Sequence, residues 1–299
     1  MHQIALTRGQ ELARQLGLPP GRTALLGVVN TTPDSFSDGG QFLDSSAAID
    51  HARNLLGAGA DIVDVGGYST RPGAAPVPPT EEAARILPVV RALAADGVVV
   101  SVDTFRSDVA RAAIKAGARI INDVSGTHAD PAMAEVVADA GVVYICQHWR
   151  GTPETMDSLA TYTDLLGQVR DELASRLTAL ERAGVAADKV IVDPGLGFAK
   201  DADQSWQVAA HWEFFAELGH PVLLGASRKR MLAAVLGEGG QRPARDRDVA
   251  TAAFTALAAA SGVWGVRVHD VAASADARAV GARWRQARQT SDTQESNAH

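Results

Sequence analysis

Short apolar runs alternate with longer amphipathic stretches along almost the whole chain. The amphipathic stretches repeat apolar residues at helical spacing and end in glycine, as in SSAAIDHARNLLGAGA at 45–60. Near-continuous apolar strands separated by helices are typical of a parallel sheet covered by helices. The pattern predicts eight strands, which are ALLGVV at 24–29, DIVDVG at 61–66, VVVSVD at 98–103, RIINDV at 119–124, VVYICQ at 142–147, KVIVD at 189–193, PVLLG at 221–225 and GVRVHD at 265–270.

Eight such units in 299 residues predict one α/β domain, a (β/α)8 TIM barrel, because these barrels commonly reach about 250 residues as a single unit. The active site of such a barrel lies at the C-terminal ends of the strands, and polar residues follow most of the predicted strands. An open doubly wound sheet is the alternative, but it would gather ligand groups at one switch point. We expect the barrel at 21–288, a loose N-terminal extension at 1–20 and a disordered polar tail at 289–299.

Composition and charge narrow the class of protein. Hydrophobic residues make up 46% of the chain and charged residues 21%, as in an ordinary globular protein. The net charge of -7 argues against nucleic acid or an acidic membrane as partner, because both normally require a cationic surface. The only cysteine, Cys146, cannot form an internal disulfide, and no apolar run approaches the ~20 residues of a membrane span. We therefore expect a cytoplasmic protein.

Cations follow the seventh predicted strand in the stretch GASRKRM at 225–231. A helix that begins here would carry Arg228, Lys229 and Arg230 in its first turn, where positive charge opposes the helix macrodipole. A bound anion would compensate, and the Ser227 hydroxyl with free backbone amides would suit a carboxylate or phosphate. A solvated basic turn is the structural alternative.

A second group of cations lies on the eighth strand and on the second loop. Arg267 and His269 are two residues apart, so their side chains point to the same face of the strand. The glycine-flanked loop GGYSTRPGA at 66–74 contributes Thr70 and Arg71. A structural histidine and a solvent-exposed arginine are the simpler interpretations of these residues.

Carboxylates end two further strands. Asp103 and Asp193 would both project into the apolar mouth of the barrel, where an unpaired charge is costly, so they need hydrogen-bond donors. A heterocycle with ring N–H and amino groups could supply them, and Asn122 or Asp123 could add a further polar group. No zinc motif is present, but Mg²⁺ between oxygen ligands and a phosphate is compatible with the sequence, because Mg²⁺ takes few protein ligands.

Seven motifs in this order resemble the dihydropteroate synthase family, and the resemblance extends from about Leu25 to Val271. The motifs are NTTPDSFSDGG, GGYSTRPGA, SVDT, INDVSG, DPGLGFAK, GASRKR and RVHDV. The resemblance implies an enzyme that joins 6-hydroxymethyl-7,8-dihydropterin pyrophosphate to p-aminobenzoate and releases pyrophosphate. It also implies a homodimer that uses Mg²⁺ and is the target of sulfonamides.

The resemblance implies a role for each matched residue. The pterin pocket would contain Asp103, Asn122, Asp193, Phe198, Gly225, Lys229 and Arg267, with Arg267 stacked on the pterin face. We also expect Gln147 to contact the substrate, although it departs from the family pattern. The pyrophosphate would contact Asn30, Thr70, Arg71, Arg267 and His269, with Mg²⁺ bound at Asn30. The p-aminobenzoate would contact Thr32, Pro33, Ser35 and Phe36 beneath a closing first loop, and Ser227 with its helix N-terminus would bind the carboxylate. We also expect Arg228 to bind substrate. Asp103, Lys229 and Arg267 would carry the catalysis, in which the C–O bond ionises before the arylamine attacks.

The sequence departs from the family pattern at two positions. Tyr68 replaces the usual acid of the second loop, and Gln147 replaces a methionine that would face the pterin. A pterin-binding paralogue without synthase activity is therefore an alternative. A methyltetrahydrofolate:corrinoid methyltransferase-like barrel is another, although it has no use for a pyrophosphate site. An aldolase-like barrel would need a reactive lysine on a strand.

Overall fold

The computed structural model describes residues 1–31, 41–68, 77–152, 155–237 and 242–296. Its strands are β1 (Ala24–Asn30), β2 (Ile62–Gly66), β3 (Val100–Asp103), β4 (Ile120–Asp123), β5 (Val143–Gln147), β6 (Val190–Asp193), β7 (Leu223–Leu224) and β8 (Gly265–Val268). Its α-helices are α1 (His2–Leu16), α2 (Gln41–Gly57), α3 (Pro79–Ala95), α4 (Ser107–Lys115), α5 (Met133–Ala140), α6 (Leu165–Arg182), α7 (Ala202–Ala210), α8 (Trp212–Ala216), α9 (Arg230–Ala234), α10 (Asp248–Ser261) and α11 (Val271–Ser296). Each predicted apolar run contains one strand.

The strands form one parallel sheet in the order β6-β5-β4-β3-β2-β1-β8-β7. A parallel bridge between Val192 and Val222 joins the two ends of this order, so the sheet curls into a nearly closed barrel. The predicted (β/α)8 barrel is confirmed, and the open doubly wound sheet does not fit this order. The strand interiors are apolar and buried because helices cover the outside of the barrel and side chains fill its centre.

The strand register brings polar residues of neighbouring strands to the same height. Asn30 on β1 is paired with Gly66 on β2, Gly66 with Asp103 on β3, and Asp103 with Asn122 on β4. On the other side of the barrel, Gln147 on β5 is paired with Asp193 on β6. The C-terminal ends of the strands therefore form a polar mouth.

The N-terminal ends of the strands are closed by helix α1. Leu12 and Leu16 are 1% and 3% exposed and pack in one cluster with Leu26, Ile120 and other strand residues. The Trp264 indole N–H donates to the Gly9 carbonyl over 3.1 Å. The predicted loose N-terminal extension is therefore wrong for this helix. Its buried positions recur at helical spacing, at Ala5, Gly9, Leu12, Ala13 and Leu16.

The last helix, α11, extends to Ser296, where the sequence predicted a disordered tail from residue 289. The helix packs closely on α10, since a Cβ at Gly281 would lie 2.2 Å from the Ala256 carbonyl oxygen. This packing stabilises the first part of the helix. Because adding residues to an existing helix is easier than starting one, the helix continues into the polar segment. No helix in the described ranges has both the length and the apolar character needed to cross a membrane.

Candidate active site

Arg267 lies at the centre of the polar mouth, between two carboxylates. Its Nε donates to Asp64 Oδ2 over 2.6 Å, and its Nη2 donates to Asp103 Oδ2 over 2.8 Å. The Asp64 side chain is fully buried, whereas those of Asp103 and Arg267 are 17% and 23% exposed. Two carboxylates thus fix one guanidinium, which still presents N–H groups to the mouth.

Asp64 was missed by the sequence reasoning, which considered polar residues only at the ends of strands. It lies inside β2, and its Oδ2 also accepts a hydrogen bond from Asn122 Nδ2 over 3.2 Å. This bond orients the Asn122 amide, so Asn122 Oδ1 is buried without a partner in the structure, as is Asp64 Oδ1. The sequence could have indicated Asp64, because it is an acid inside an apolar strand and a buried charge needs a partner.

The structure separates the roles of Asn122 and Asp123, which the sequence left open. Successive side chains of a strand point to opposite faces, and Asn122 points into the barrel. Asp123 points outward and is fully occupied, since its oxygens accept from the backbone N–H groups of Ser125 and Thr127 and from the hydroxyls of Ser125 and Tyr144. Asp123 therefore holds the loop after β4, and Asn122 keeps a buried side-chain oxygen without a partner among the described residues.

Asp193, Lys229 and Phe198 form the opposite wall of the mouth. Asp193 Oδ1 accepts from the backbone N–H of Gly195 over 2.7 Å. Lys229 Nζ donates to the Leu196 carbonyl and lies 4.6 Å from the centre of the Phe198 ring. Gly225 faces them without a side chain, since a Cβ there would lie 3.7 Å from Asp193 Oδ2 and 3.8 Å from Lys229 Nζ. These residues lie together in the structure, and their binding of a pterin stays a prediction.

Burial changes the proton affinities of the mouth residues. The pKa of Asp103 is raised to about 7, mainly by desolvation. The positive charge of Arg267 opposes this shift, and the neighbouring Asp64 carboxylate adds to it. Desolvation lowers the pKa of Lys229 to about 8, against the effect of Asp193. It also raises the pKa of Asp193, with Lys229 opposing. The site is therefore poised to respond to a charged ligand near neutral pH.

Ser227 and His269 are joined to each other. The Ser227 Oγ lies 2.9 Å from His269 Nδ1 and accepts from the His269 backbone N–H over 3.2 Å. The hydroxyl proton is available to a carboxylate only when His269 carries its own proton on Nδ1, because Oγ then accepts from the ring. The predicted contact between Ser227 and a carboxylate thus depends on the histidine tautomer.

The basic turn after β7 differs from the predicted helix start. Helix α9 begins at Arg230, with Lys229 as its N-cap, so the three cations do not share a first turn. Arg228 has a left-handed φ of 60° and pairs with Asp248 through two hydrogen bonds of 2.7 Å. Arg230 pairs with Asp157. Lys229 alone of the three points to the mouth, and substrate binding by Arg228 stays a prediction.

Asn30 lies at the end of β1 beside Gly66 and Asp103. A Cβ at Gly66 would lie 3.8 Å from both Asn30 Oδ1 and Asp103 Oδ2, so the glycine leaves space between these oxygens. The described part of the chain contains no group of three or more His, Cys, Asp or Glu side chains arranged to hold a metal ion.

Six predicted site residues lie outside the described residues. These are Thr32, Pro33, Ser35, Phe36, Thr70 and Arg71.

Comparison with known proteins identifies the family. A family model described as pterin binding enzyme matches residues 26–269. The chain is 49% identical over 263 residues to the dihydropteroate synthase of Mycobacterium leprae (strain TN), across 87% of this chain and 93% of that protein. The chain belongs to the dihydropteroate synthases of the pterin-binding enzyme family. The resemblance seen in the sequence motifs is therefore confirmed.

Solved structures of this family have the same fold. The Xanthomonas albilineans dihydropteroate synthase with 4-aminobenzoic acid gives a TM-score of 0.81 at 41% identity, over 90% of this chain and 93% of that chain. The Yersinia pestis dihydropteroate synthase with a sulfonamide drug gives a TM-score of 0.82 at 36% identity, over 89% of this chain and 95% of that chain.

The departure at Tyr68 has a local explanation. The Tyr68 ring contacts the Phe105 ring edge-on at 5.2 Å, and the Arg106 guanidinium lies 5.6 Å from the Tyr68 ring centre. Arg106 already pairs with the buried carboxylate of Glu82. The Tyr68 ring therefore contributes to the surroundings of this arginine, because a cation is attracted to an aromatic ring face.

The departure at Gln147 places a polar side chain in the mouth. Gln147 is 5% exposed, and its Nε2 donates to the Val124 carbonyl over 3.4 Å, which is a long hydrogen bond. A Cβ at Gly195 would lie 3.6 Å from Gln147 Cγ. The side chain therefore borders the loop that follows Asp193.

Proposed function

We propose that this dihydropteroate synthase joins 6-hydroxymethyl-7,8-dihydropterin pyrophosphate to p-aminobenzoate at the barrel mouth, as a step of folate biosynthesis. The observation that carries the proposal is Arg267 held between Asp64 and Asp103, next to an Asn122 oxygen that has no partner. The X. albilineans and Y. pestis relatives, which bind 4-aminobenzoic acid and a sulfonamide, support it. We further propose that this chain binds sulfonamides at the p-aminobenzoate site.

The acceptors of the mouth suit the edge of a pterin. Asn122 Oδ1 and Asp193 can accept hydrogen bonds from the ring N–H and amino groups, which would satisfy atoms that are otherwise costly to bury. Lys229 and Arg267 can donate to the remaining ring atoms. Phe198 and the open floor at Gly225 leave room for a flat ring between these groups.

The reaction breaks one C–O bond and forms one C–N bond, and the proton lost by the arylamine balances the charge of the released pyrophosphate. Positive charge develops on the pterin when the C–O bond ionises, and the Asp103 carboxylate would stabilise it. The neutral amine attacks through its lone pair, so a strong general base is not required. Asp103, Lys229 and Arg267 therefore act through electrostatics and positioning.

Anion binding would involve Asn30, Arg267 and His269, which border the same side of the mouth. The Asn30 oxygen is the kind of ligand that Mg²⁺ prefers, and Mg²⁺ usually keeps several of its waters and takes few protein ligands. Bound Mg²⁺ would neutralise charge on the departing pyrophosphate. We retain the predicted roles of Thr32, Pro33, Ser35 and Phe36 toward p-aminobenzoate and of Thr70 and Arg71 toward pyrophosphate.

The test is an assay of the full chain with both substrates and Mg²⁺. We expect pyrophosphate release and 7,8-dihydropteroate, detected by mass, only when both substrates are present. Omission of Mg²⁺ with added chelator should abolish the product. A folded chain that binds pterin but forms no product would instead support the inactive paralogue, and methyl transfer to a corrinoid protein would support the methyltransferase alternative.

We also propose a homodimer formed through the outer faces of α10 and α11. Val249 and Leu257 on α10 are 81% and 65% exposed, and Val280 and Trp284 on α11 are 67% and 65% exposed. These large apolar side chains lie on two helices that pack together, and a second copy would bury them. Light scattering should give twice the monomer mass, and Leu257→Asp should reduce it. A monomeric unmodified chain would refute the proposal.

The cytoplasmic location stays a prediction from the sequence.

A further inference from the structure

We infer that Lys200 is a positioning residue for the pterin pocket, although its hydrogen bonds go to none of the side chains predicted to bind ligands. Its side chain is 2% exposed. Its Nζ donates to His148 Nδ1 over 2.9 Å, to the Gly195 carbonyl over 3.1 Å and to the Phe198 carbonyl over 3.2 Å. Burial lowers the pKa of Lys200 well below its ordinary value, but three acceptors around Nζ match the three N–H donors of the ammonium form and favour it.

The loop around this ammonium has an unusual backbone. Gly195, Gly197 and Ala199 have left-handed φ values of 71°, 72° and 47°. Alanine rarely adopts this conformation, and it persists only where surrounding contacts enforce it. At Gly195 a Cβ would lie 2.2 Å from the His148 carbonyl oxygen, so the loop is also pressed against the end of β5. The Lys200 bonds hold two carbonyls of this loop toward one point.

The same loop carries three groups of the candidate active site. Asp193 begins it and accepts from the Gly195 N–H, Leu196 accepts from Lys229 Nζ, and the Phe198 ring lies beside that ammonium. Lys200 contacts Gly195 and Phe198 directly. Displacement of these carbonyls would therefore move the carboxylate, the cation and the ring that would enclose the pterin.

His148 connects Lys200 to the outside of the barrel. His148 is fully buried, and its Nε2 lies 3.0 Å from Glu172 Oε2. A carboxylate only accepts, so Nε2 carries the proton and Nδ1 accepts from Lys200. Burial, with Lys200 nearby, lowers the pKa of His148 to about 3, so the imidazole is neutral. Arg150 pairs with the other side of Glu172. The ammonium and the carboxylate are thus balanced through a neutral ring.

The inference rests on the proposed synthase activity and is tested with the full chain and Lys200→Met. We expect the variant to bind dihydropterin pyrophosphate at least about tenfold more weakly in calorimetry, because lost hydrogen bonds release the loop. Lys200→Gln retains two N–H donors for the loop carbonyls and should recover part of the affinity. Lys189→Met is the matched control, because Lys189 bonds to Gln15 Oε1 over 2.7 Å at the opposite end of the barrel.

Unchanged pterin affinity in a folded Lys200→Met variant would overturn the inference, and so would an equal loss in the Lys189 control. If the Lys200 variants do not fold, ¹⁵N NMR of His148 in the unmodified chain decides. A neutral ring with the proton on Nε2 between pH 5 and 8 agrees with the inference, whereas an Nδ1–H ring or an imidazolium contradicts it. Absence of turnover in the unmodified chain would count against the synthase activity instead, because these binding and NMR readouts do not require turnover.

Discussion

The two ends of the barrel are built from the same eight strands but have opposite chemistry. At the N-terminal end, Leu12 and Leu16 of α1 pack on strand residues such as Leu26 and form an apolar closure. At the C-terminal end, Arg267 pairs with the carboxylates of Asp64 and Asp103 in a partly buried space. The comparison teaches that stability and reactivity are separated along the barrel axis, so each should respond to its own set of substitutions.

The largest expected effect is on catalysis, from Asp103→Asn. The substitution keeps the size of the side chain but removes the negative charge that would stabilise the pterin. We expect kcat to fall about a hundredfold or more, as for the loss of one electrostatic contact in other enzymes. Steady-state kinetics and circular dichroism on the same preparation would check this, and near-normal turnover would remove Asp103 from the mechanism.

The pH dependence of kcat/KM should report the titration of Asp103. The pKa of Asp103 is about 7, so the carboxylate becomes protonated below that value. We expect kcat/KM to fall about tenfold per pH unit below this point.

The stability of the fold should also depend on the titration of Asp103. The folded-state pKa is raised, so between the ordinary aspartate pKa and about 7 the native state binds more protons than the unfolded state. The contribution of Asp103 to stability is therefore lost as pH rises through this window, whereas Asp103→Asn should show no such loss.

A smaller effect is expected from Asp64→Asn, which weakens the orientation of Asn122 and Arg267. We expect the KM for the pterin substrate to rise about 10- to 100-fold. If Asp64 acts through Asn122, the double variant with Asn122→Ala should be little worse than either single variant. Fully additive effects on KM would show that the two residues act separately.

The smallest effect on activity is expected at the closed end. Leu12→Ala removes a side chain that is 1% exposed, and it should lower the free energy of unfolding by about 2–5 kcal/mol. Activity per folded molecule should stay unchanged, because the substitution lies at the other end of the strands. Denaturant unfolding and kinetics on one sample would measure both, and a raised KM would mean that the two ends are coupled.

The sequence predicted the parts of the molecule that depend on local pattern. The strands follow from apolar periodicity, and the meeting of Asp103, Asn122, Asp193 and Lys229 follows from the rule that parallel strands end at one edge. Asp64 was not predicted because a residue inside a strand shows its partners only when the barrel closes. The direction of Arg228 could not be read either, because Asp248 lies twenty residues away on α10.

Helix α1 was overlooked for a different reason. Its buried positions show helical spacing, but apart from the nearby β1 the strand residues that it packs on, such as Ile120 and Ile191, lie far from it in the sequence. Its burial therefore depends on the curvature of the whole sheet. Tyr68 and Gln147 show the same limit, since the meaning of each departure depends on neighbours such as Arg106 and Val124.

The two buried oxygens without partners, Asp64 Oδ1 and Asn122 Oδ1, have a consequence for inhibitor design. A compound that donates hydrogen bonds to both would contact strands β2 and β4, and Asp64 also holds Arg267 in place. Substitutions that evade such a compound would disturb the arginine that the enzyme itself requires. Resistance at this position should therefore carry a fitness cost, in contrast to resistance through changes in surface loops.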